Sequence, residues 1–400
     1  MENRRIVITG IGAISSLGTG LQQHSDNLTN PSSPSSYQES EYHSFDKPVV
    51  CFRAEQYDPI EVLGKKGLRT KDWATKLILG AIESSCKDIL VQGNESERPG
   101  ICIGTAFGSV QSIGDFLSDS IVNGVNSVNP QAFANTVINS PTGNANIRYN
   151  VRTLSTTVST GFNAGIDSFI YGGDYIKRGY LDSILVGGIE EVSYFELLGL
   201  LRSGALSPSG TIKPFGKDAD GLVMGEGSAV FMLETADRAS RRGAEPIAEI
   251  AGYYSAFDAD APVNGFDPSG NIQKYVMKNA CDMAGISCDA ISFIAASANG
   301  NKTGDTVESL AIERLFGDTP VTSYKSKIGE CYGAGAVLSM ACALADCCAN
   351  RISGIGPVYE TVGDANIQFD TKYDYSSEYI LINSFSCDGN CASIILKNIM

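Results

Sequence analysis

Residues 213–234 read KPFGKDADGLVMGEGSAVFMLE, and the stretch divides at Gly227. Before that point a proline, closely spaced glycines and the acids Asp218, Asp220 and Glu226 describe a chain that turns repeatedly. After it, Ser228–Glu234 is a short apolar run with the length of a buried strand. Any one of these glycines is more often a turn residue than part of a site. The ordered set Pro214-Phe215, Asp220-Gly221 and Gly225-Glu226-Gly227 is a far more specific pattern than its members.

Working outward, strand-like and helix-like segments alternate. RRIVITGIGAISSLG (4–18) reads as a buried strand ending in a glycine turn, and residues 71–90 place Trp73, Leu77, Ile78, Ala81, Ile82, Cys86, Ile89 and Leu90 on one helical stripe. GICIGTAF, TLSTTVS and DSILVGG read as strands, with helices at GSVQSIGDFLSDSI and AGIDSFIYGGDYIKRG. The order returns after residue 220: strands at SAVFMLE, AEIAGYYSAF, AISFIAASA, SEYILINSF and CASIILK, helices at IQKYVMKNACDMAGI and AGAVLSMACALADCCA. This alternation predicts a layered α/β fold of two similar halves, 1–235 and 236–400. The Ser/Pro-rich residues 26–47 read as a surface loop.

Composition narrows the function. A formal charge of −15 with no basic stripe argues against nucleic acid. No apolar run reaches the roughly 20 residues of a membrane span, and the glycine-broken start reads as a first strand, not a signal peptide. The 11 scattered cysteines read as reduced, mostly buried cytoplasmic thiols. Neither Cys387/Cys391 nor Cys347/Cys348 has a second pair at zinc-ligand spacing, so no metal and no other cofactor is expected. The two histidines, His24 and His43, both lie near the start, so later chemistry runs without imidazole.

The stretch STGFNAGIDS (159–168) is a strand turning sharply into a helix, the place where many α/β enzymes expose a nucleophile. Its centre is Phe162. Ser159 and Thr160 beside it read as helix-capping hydroxyls, since a hydroxyl nucleophile needs an adjacent base. Cys331 reads as a packing residue.

Together, RRIVITGIGAISSLG, the 213–234 stretch, KSKIGECYGAGA (325–336) and NSFSCDGNCAS (383–393) resemble the β-ketoacyl synthases, which implies the thiolase fold with a five-layered α-β-α-β-α core. In that family a cysteine at the elbow carries the acyl chain and two histidines stabilise the enolate formed on decarboxylation of malonyl-carrier protein. The resemblance puts Phe162 at the cysteine seat, Asn299 near the first histidine seat and Glu330 at the second, so all three are degenerate. Lys325 keeps the family's lysine position and is expected to pair with Glu330 or a nearby carboxylate.

NAGIDS and CYGAGA further resemble the chain-length factors of type II polyketide synthases, non-catalytic subunits that pair with an active ketosynthase. That likeness implies a heterodimer in which β-strand TLSTTVS meets the partner's equivalent, a polyketide tunnel at the interface, and chain-length residues at Val110, Ile113 and Leu117. It also implies docking of acyl-carrier protein mainly through the partner, since carrier proteins are acidic. The many chain-length factors with Gln at the cysteine seat differ from this chain, where Phe162 is expected to plug the site. The competing readings are a homodimeric carrier-binding scaffold and a ketosynthase-like acyltransferase or decarboxylase with atypical residues.

Overall fold

The computed structural model describes residues 4–39, 43–91, 98–358 and 360–400. Five strands build the first half: β1 (Ile6–Ser15), β2 (Gly100–Gly104), β3 (Ser155–Val158), β4 (Ser183–Glu190) and β5 (Gly227–Thr235). They lie side by side as β3-β2-β4-β5-β1. β2 runs parallel to β3 and β4, and β5 runs antiparallel to β4 and β1.

The second half repeats this wiring. Its strands are β6 (Ala248–Phe257), β7 (Ile291–Ala295), β8 (Val321–Thr322), β9 (Tyr379–Phe385) and β10 (Asn390–Asn398). Their order is β8-β7-β9-β10-β6, with the same pattern of parallel and antiparallel neighbours. The halves meet where β1 pairs with β6 through Val7↔Glu249 and Ile8↔Ala248.

Seven helices cover the sheets or border the site: α1 (Trp73–Ser85), α2 (Val110–Asn123), α3 (Ala164–Lys177), α4 (Tyr194–Ser203), α5 (Asn271–Ala284), α6 (Lys302–Phe316) and α7 (Tyr332–Cys348). Strand alternation sorts them into layers. Val186 and Phe231 face inward with Phe169 of α3 and Val337 of α7, and Phe293, Ile382 and Ile394 meet the same cluster from the other half. Leu185, Val230 and Met232 point the opposite way, onto Leu77 and Ile78 of α1. In the second half Ile294, Leu381 and Ile395 pack on Val276 and Met277 of α5. The result is α1, sheet, α3 with α7, sheet, α5: five layers with both sheet faces covered. Each large apolar side chain taken fully from water contributes about 1.5–3 kcal/mol.

The middle layer explains the glycines of NAGIDS and CYGAGA. A Cβ on Gly165 would stand 2.2 Å from the Gly333 carbonyl oxygen, so α3 and α7 approach backbone to backbone. α7 is apolar around its whole circumference because every side meets protein, and Tyr332 through Cys347 are all buried.

Two local readings change. The single stripe over 71–90 is interrupted: α1, capped by the Asp72 side chain, stops at Ser85 and a short helix resumes at Lys87–Val91. Cys86 and Ile89 both seat over Gly10 of β1. The loop expected at 26–47 begins inside a helix, Gly20–Leu28, and includes the two-residue strand Ser35–Ser36, which pairs with Val50–Cys51. No helix among the described residues is long and apolar enough to cross a membrane.

Candidate functional site

α3 follows β3 and α7 follows β8 by way of a short helix, Lys325–Ile328, and the Gly165–Gly333 contact brings their N-termini together. A cavity of about 380 Å³ opens there, and Phe162, Asn299, Lys325 and Glu330 all line it, although 168 positions separate the first from the last.

The elbow is closed to nucleophilic chemistry by its backbone as well as its side chain. The Phe162 ring is stacked on Tyr332 with centroids 4.2 Å apart, and Phe107 touches both rings from 5.9 and 5.6 Å. The Phe162 N–H, at the turn into α3, donates to Asp388 Oδ2 at 3.3 Å. Gly161, at φ +86°, must lack a Cβ, which would lie 2.2 Å from that same oxygen. Asp388 is itself fixed through Oδ1, which accepts the Asn390 backbone and side-chain N–H groups. The phenyl ring borders the cavity without filling it.

The capping role expected of Ser159 and Thr160 is not what the hydroxyls do. No side chain caps α3; Thr160 donates to Asp167, a first-turn carboxylate. The side chain of Asn163, at the cap position, is instead held by Ser384, donating to its carbonyl and accepting from its hydroxyl at 2.9 Å each.

Across the cavity, three of the singled-out side chains form one cluster. Glu330 Oε2 accepts from Lys325 Nζ and from Asn299 Nδ2, both at 2.7 Å, while Oε1 accepts the Tyr332 N–H at 2.9 Å. Lys325 is 7% and Glu330 3% exposed, so the ion pair is buried. The Lys325 ammonium thus neutralises a carboxylate and is not available as a separate electrophile for an enolate.

Further buried carboxyls brace the loops around the cluster. Asp305 at the start of α6 accepts the N–H groups of Phe215, Asn299 and Gly300 at 2.8–3.0 Å. Burial pushes its carboxyl up to about 6 against those bonds. This grip holds Phe215 at φ +60°, a backbone state a bulky residue rarely adopts. Glu308, one turn along α6, accepts from Ser297 N and Asn383 Nδ2, both at 2.9 Å, and burial pushes it up to about 7. Glu226 of the 213–234 stretch accepts from Ala54 N and Val192 N, so the most specific motif residue is structural. Glu190, also pushed up by burial, ties Ala106, Phe107 and Gly333 together through their N–H groups.

Of the remaining candidates, Cys331 is fully buried with its thiol pushed well up by desolvation, in keeping with packing. Cys387 borders the cavity, and burial raises its thiol too, the wrong direction for a nucleophile. His24 is buried against Ser15 and the Gly20 carbonyl, and His43 stacks on Tyr194; neither lines the cavity. Among the described residues no group of His, Cys, Asp or Glu is arranged to hold a metal.

Val110, Ile113 and Leu117 share a face of α2 but do not line this cavity. Val110 and Ile113 are half-buried and Leu117 is exposed. They lie in an exposed apolar region that continues through Ile121, Val122, Val125, Phe133, Val137, Ile138 and Ile147. Among the described residues β3 pairs only with β2, so its outer edge is unpaired.

Sequence reasoning missed Asp388, Tyr332 and Phe107. Asp388 stands in the quoted motif NSFSCDGNCAS, but its target is 226 residues away, and only folding shows the contact.

Known proteins share this architecture. The β-ketoacyl synthase N-terminal domain matches residues 3–239 and the C-terminal domain of the same family matches 247–347. The tetracenomycin polyketide synthase ketoacyl synthase alpha subunit of Streptomyces glaucescens is 31% identical over 367 residues, covering 86% of this chain and 84% of that protein. The 3-oxoacyl-[acyl-carrier-protein] synthase 2 of Staphylococcus aureus is 27% identical over 99% of both chains. Among solved structures, the ishigamide ketosynthase/chain length factor superposes with a TM-score of 0.90 at 26% identity, covering both chains fully.

Proposed function

The chain belongs to the β-ketoacyl synthase family, and we propose that within it this is a non-catalytic chain-length factor: a subunit that pairs with an active ketosynthase and shapes the tunnel into which the polyketide grows on acyl-carrier protein. One observation carries the reading. The place of the nucleophile holds a phenyl ring whose backbone N–H faces a carboxylate, and the places of the two histidines hold Asn299 and Glu330, joined to each other and to Lys325. No thioester forms on a phenyl ring, and a carboxylate does not stabilise an enolate.

The surface supports the pairing half of the proposal. Among the described residues, the unpaired strand edge at β3 offers backbone contacts, and the exposed apolar side chains of α2 offer side-chain contacts, to a partner with the same fold. Leu117 stands in that face, where a partner covering it would bring Val110, Ile113 and Leu117 to a shared tunnel wall. With a chain charge of −15, docking of the acidic carrier falls mainly on the partner. The likeness to a ketosynthase/chain length factor and to a polyketide synthase alpha subunit is in keeping with this assignment.

The test is co-expression with a Cys-His-His ketosynthase from the same genome, native mass measurement and condensation from malonyl-loaded carrier. The expected result is a one-to-one complex that condenses only with both chains present, and that Ile121→Asp prevents without changing the fold. A homodimer with no affinity for the synthase, or condensation by this chain alone, would overturn the assignment.

A further inference from the structure

A second cavity, of about 390 Å³, lies at the other end of the molecule and shares no residue with the first. It sits at the seam between the halves, walled by the start of β1, by β6 from Glu249 to Ala251, by the C-terminal ends of α3 and α5, and by Tyr379 and Lys397 of β9 and β10. Its size falls within the range of small-molecule sites.

Its charge is opposite to that of the chain. Arg4, Arg5, Lys177 and Lys397 face it, with Glu249 as the one carboxylate among the described residues of the wall, on a protein of net charge −15. Glu249 is already neutralised, because both its oxygens accept from the Arg5 guanidinium at 3.0 and 2.5 Å. Arg4 uses one nitrogen on Asp182, at 2.8 Å. Lys397 approaches Glu378 at 3.6 Å, an exposed pair of small worth.

Lys177 is the key residue. Its ammonium lies 4.3 Å from the centroid of the Tyr253 ring, and among the described residues no carboxylate comes within ion-pair distance of it. The nearest acid, Asp174, is occupied by the Tyr253 hydroxyl at 2.6 Å. Burial lowers the Lys177 pKa, and the nearby Asp174 carboxylate opposes part of that shift. The carbonyl ends of α3 and α5 supply about half a negative charge each, which offsets part of the excess. Among the described side chains that line the cavity, four cations stand to one carboxylate, with ammonium and guanidinium donors and the Tyr379 hydroxyl around the space.

We propose that this basal cavity binds a phosphorylated small molecule, its phosphoryl oxygens taken by Lys177, Lys397 and the remaining nitrogens of Arg4. Phosphate chemistry fits better than a carboxylate because several cations converge on one space and can share the oxygens of a multiply charged group. The site does not depend on the chain-length reading, and its residues are remote from the Phe162 pocket.

The test is calorimetric titration of the intact chain, and of its complex with the synthase, with inorganic pyrophosphate at low ionic strength. Saturable one-site binding is expected, weakened about tenfold or more in Lys177→Met/Lys397→Gln, the loss of charge-assisted hydrogen bonds. Lys177→Met keeps the aliphatic packing on Tyr253, and circular dichroism checks that the double variant is folded. As a control, Phe162→Ala is expected to leave pyrophosphate binding unchanged. Absence of saturable binding, or equal affinity in the folded double variant, overturns the proposal.

Discussion

Lys325→Met isolates the energetic meaning of the buried cluster. In the native chain the ammonium, 2.7 Å from Glu330 Oε2, compensates a carboxylate that is only 3% exposed. Methionine fills a similar volume but leaves that carboxylate with two neutral donors, Asn299 Nδ2 and the Tyr332 N–H. Breaking one side of a buried pair costs about 3–5 kcal/mol. With an unfolding entropy of about 2.1 cal/mol/K per residue, a chain of this length changes by about 0.8 kcal/mol per degree, so Tm should fall by about 4–6 °C. Lys325→Met/Glu330→Gln removes both charges and keeps one acceptor oxygen, for either Asn299 or Tyr332, so it should recover part of the loss. Differential scanning calorimetry of the wild type and both variants reads this directly. A Lys325→Met Tm within about 1 °C of wild type, the value of an exposed pair, would refute the reasoning and leave Lys325 without a structural role.

Phe162→Cys alone should remain nearly unacylated by an acyl-carrier thioester, because Asp388 still occupies the elbow N–H. Restoring one oxyanion donor is worth about 10²–10³ in rate, so Phe162→Cys/Asp388→Gly should acylate about a hundredfold faster, as read by intact-protein mass spectrometry, and equal rates would count against the blocking role. Burial pushes the Glu190 and Glu308 carboxyls up to about 7 and Glu191 up to about 8, from an ordinary 4.5. These groups take up protons on folding in that interval, so their stabilisation is present in mild acid and is lost as pH rises through their folded values. His24, lowered to about 4 by burial, acts oppositely as pH falls below its ordinary 6.5. The urea midpoint should therefore be higher near about pH 6 than near about pH 8, and a midpoint that rises over that interval would contradict the burial argument.

The repeat of strands was legible because β-branched alternation and glycine turns are local signals; Ala248–Phe257, for instance, forms over the span its composition marks. Phe162 and Glu330 stand in quoted stretches and Asn299 in a loop between them, and the structure brings all three to one cavity. What joins them was not legible, since Asn299 reaches Glu330 across α6, the short strand β8 and a short helix, and hydrogen bonds between distant segments leave no periodic trace. Glu226 shows the limit in the other direction. Its motif was the clearest in the chain, yet the side chain works as a clamp on Ala54 and Val192. The basal cavity was equally hidden, because Arg4, Lys177 and Lys397 stand far apart in sequence and meet only through the seam of β1 and β6.

The two sides of the upper cavity are each coupled to charged neighbours. A histidine at position 330 would meet the Lys325 ammonium, whereas Glu330 accepts it; a cysteine at 162 would meet the Asp388 carboxylate, which disfavours thiolate and oxyanion alike. Each side chain thus has a neighbour that suits it. Asp388 requires Gly161, Glu330 holds Asn299, and Asp305 fixes the loop that carries Asn299. A single replaced residue therefore meets surroundings arranged for the present one. The cavity persists because the crossing of α3 and α7 at Gly165 and Gly333 fixes the spacing of the middle layer, whatever its walls carry. The shape of the cavity thus depends on a backbone contact of the middle layer more than on the side chains that line it.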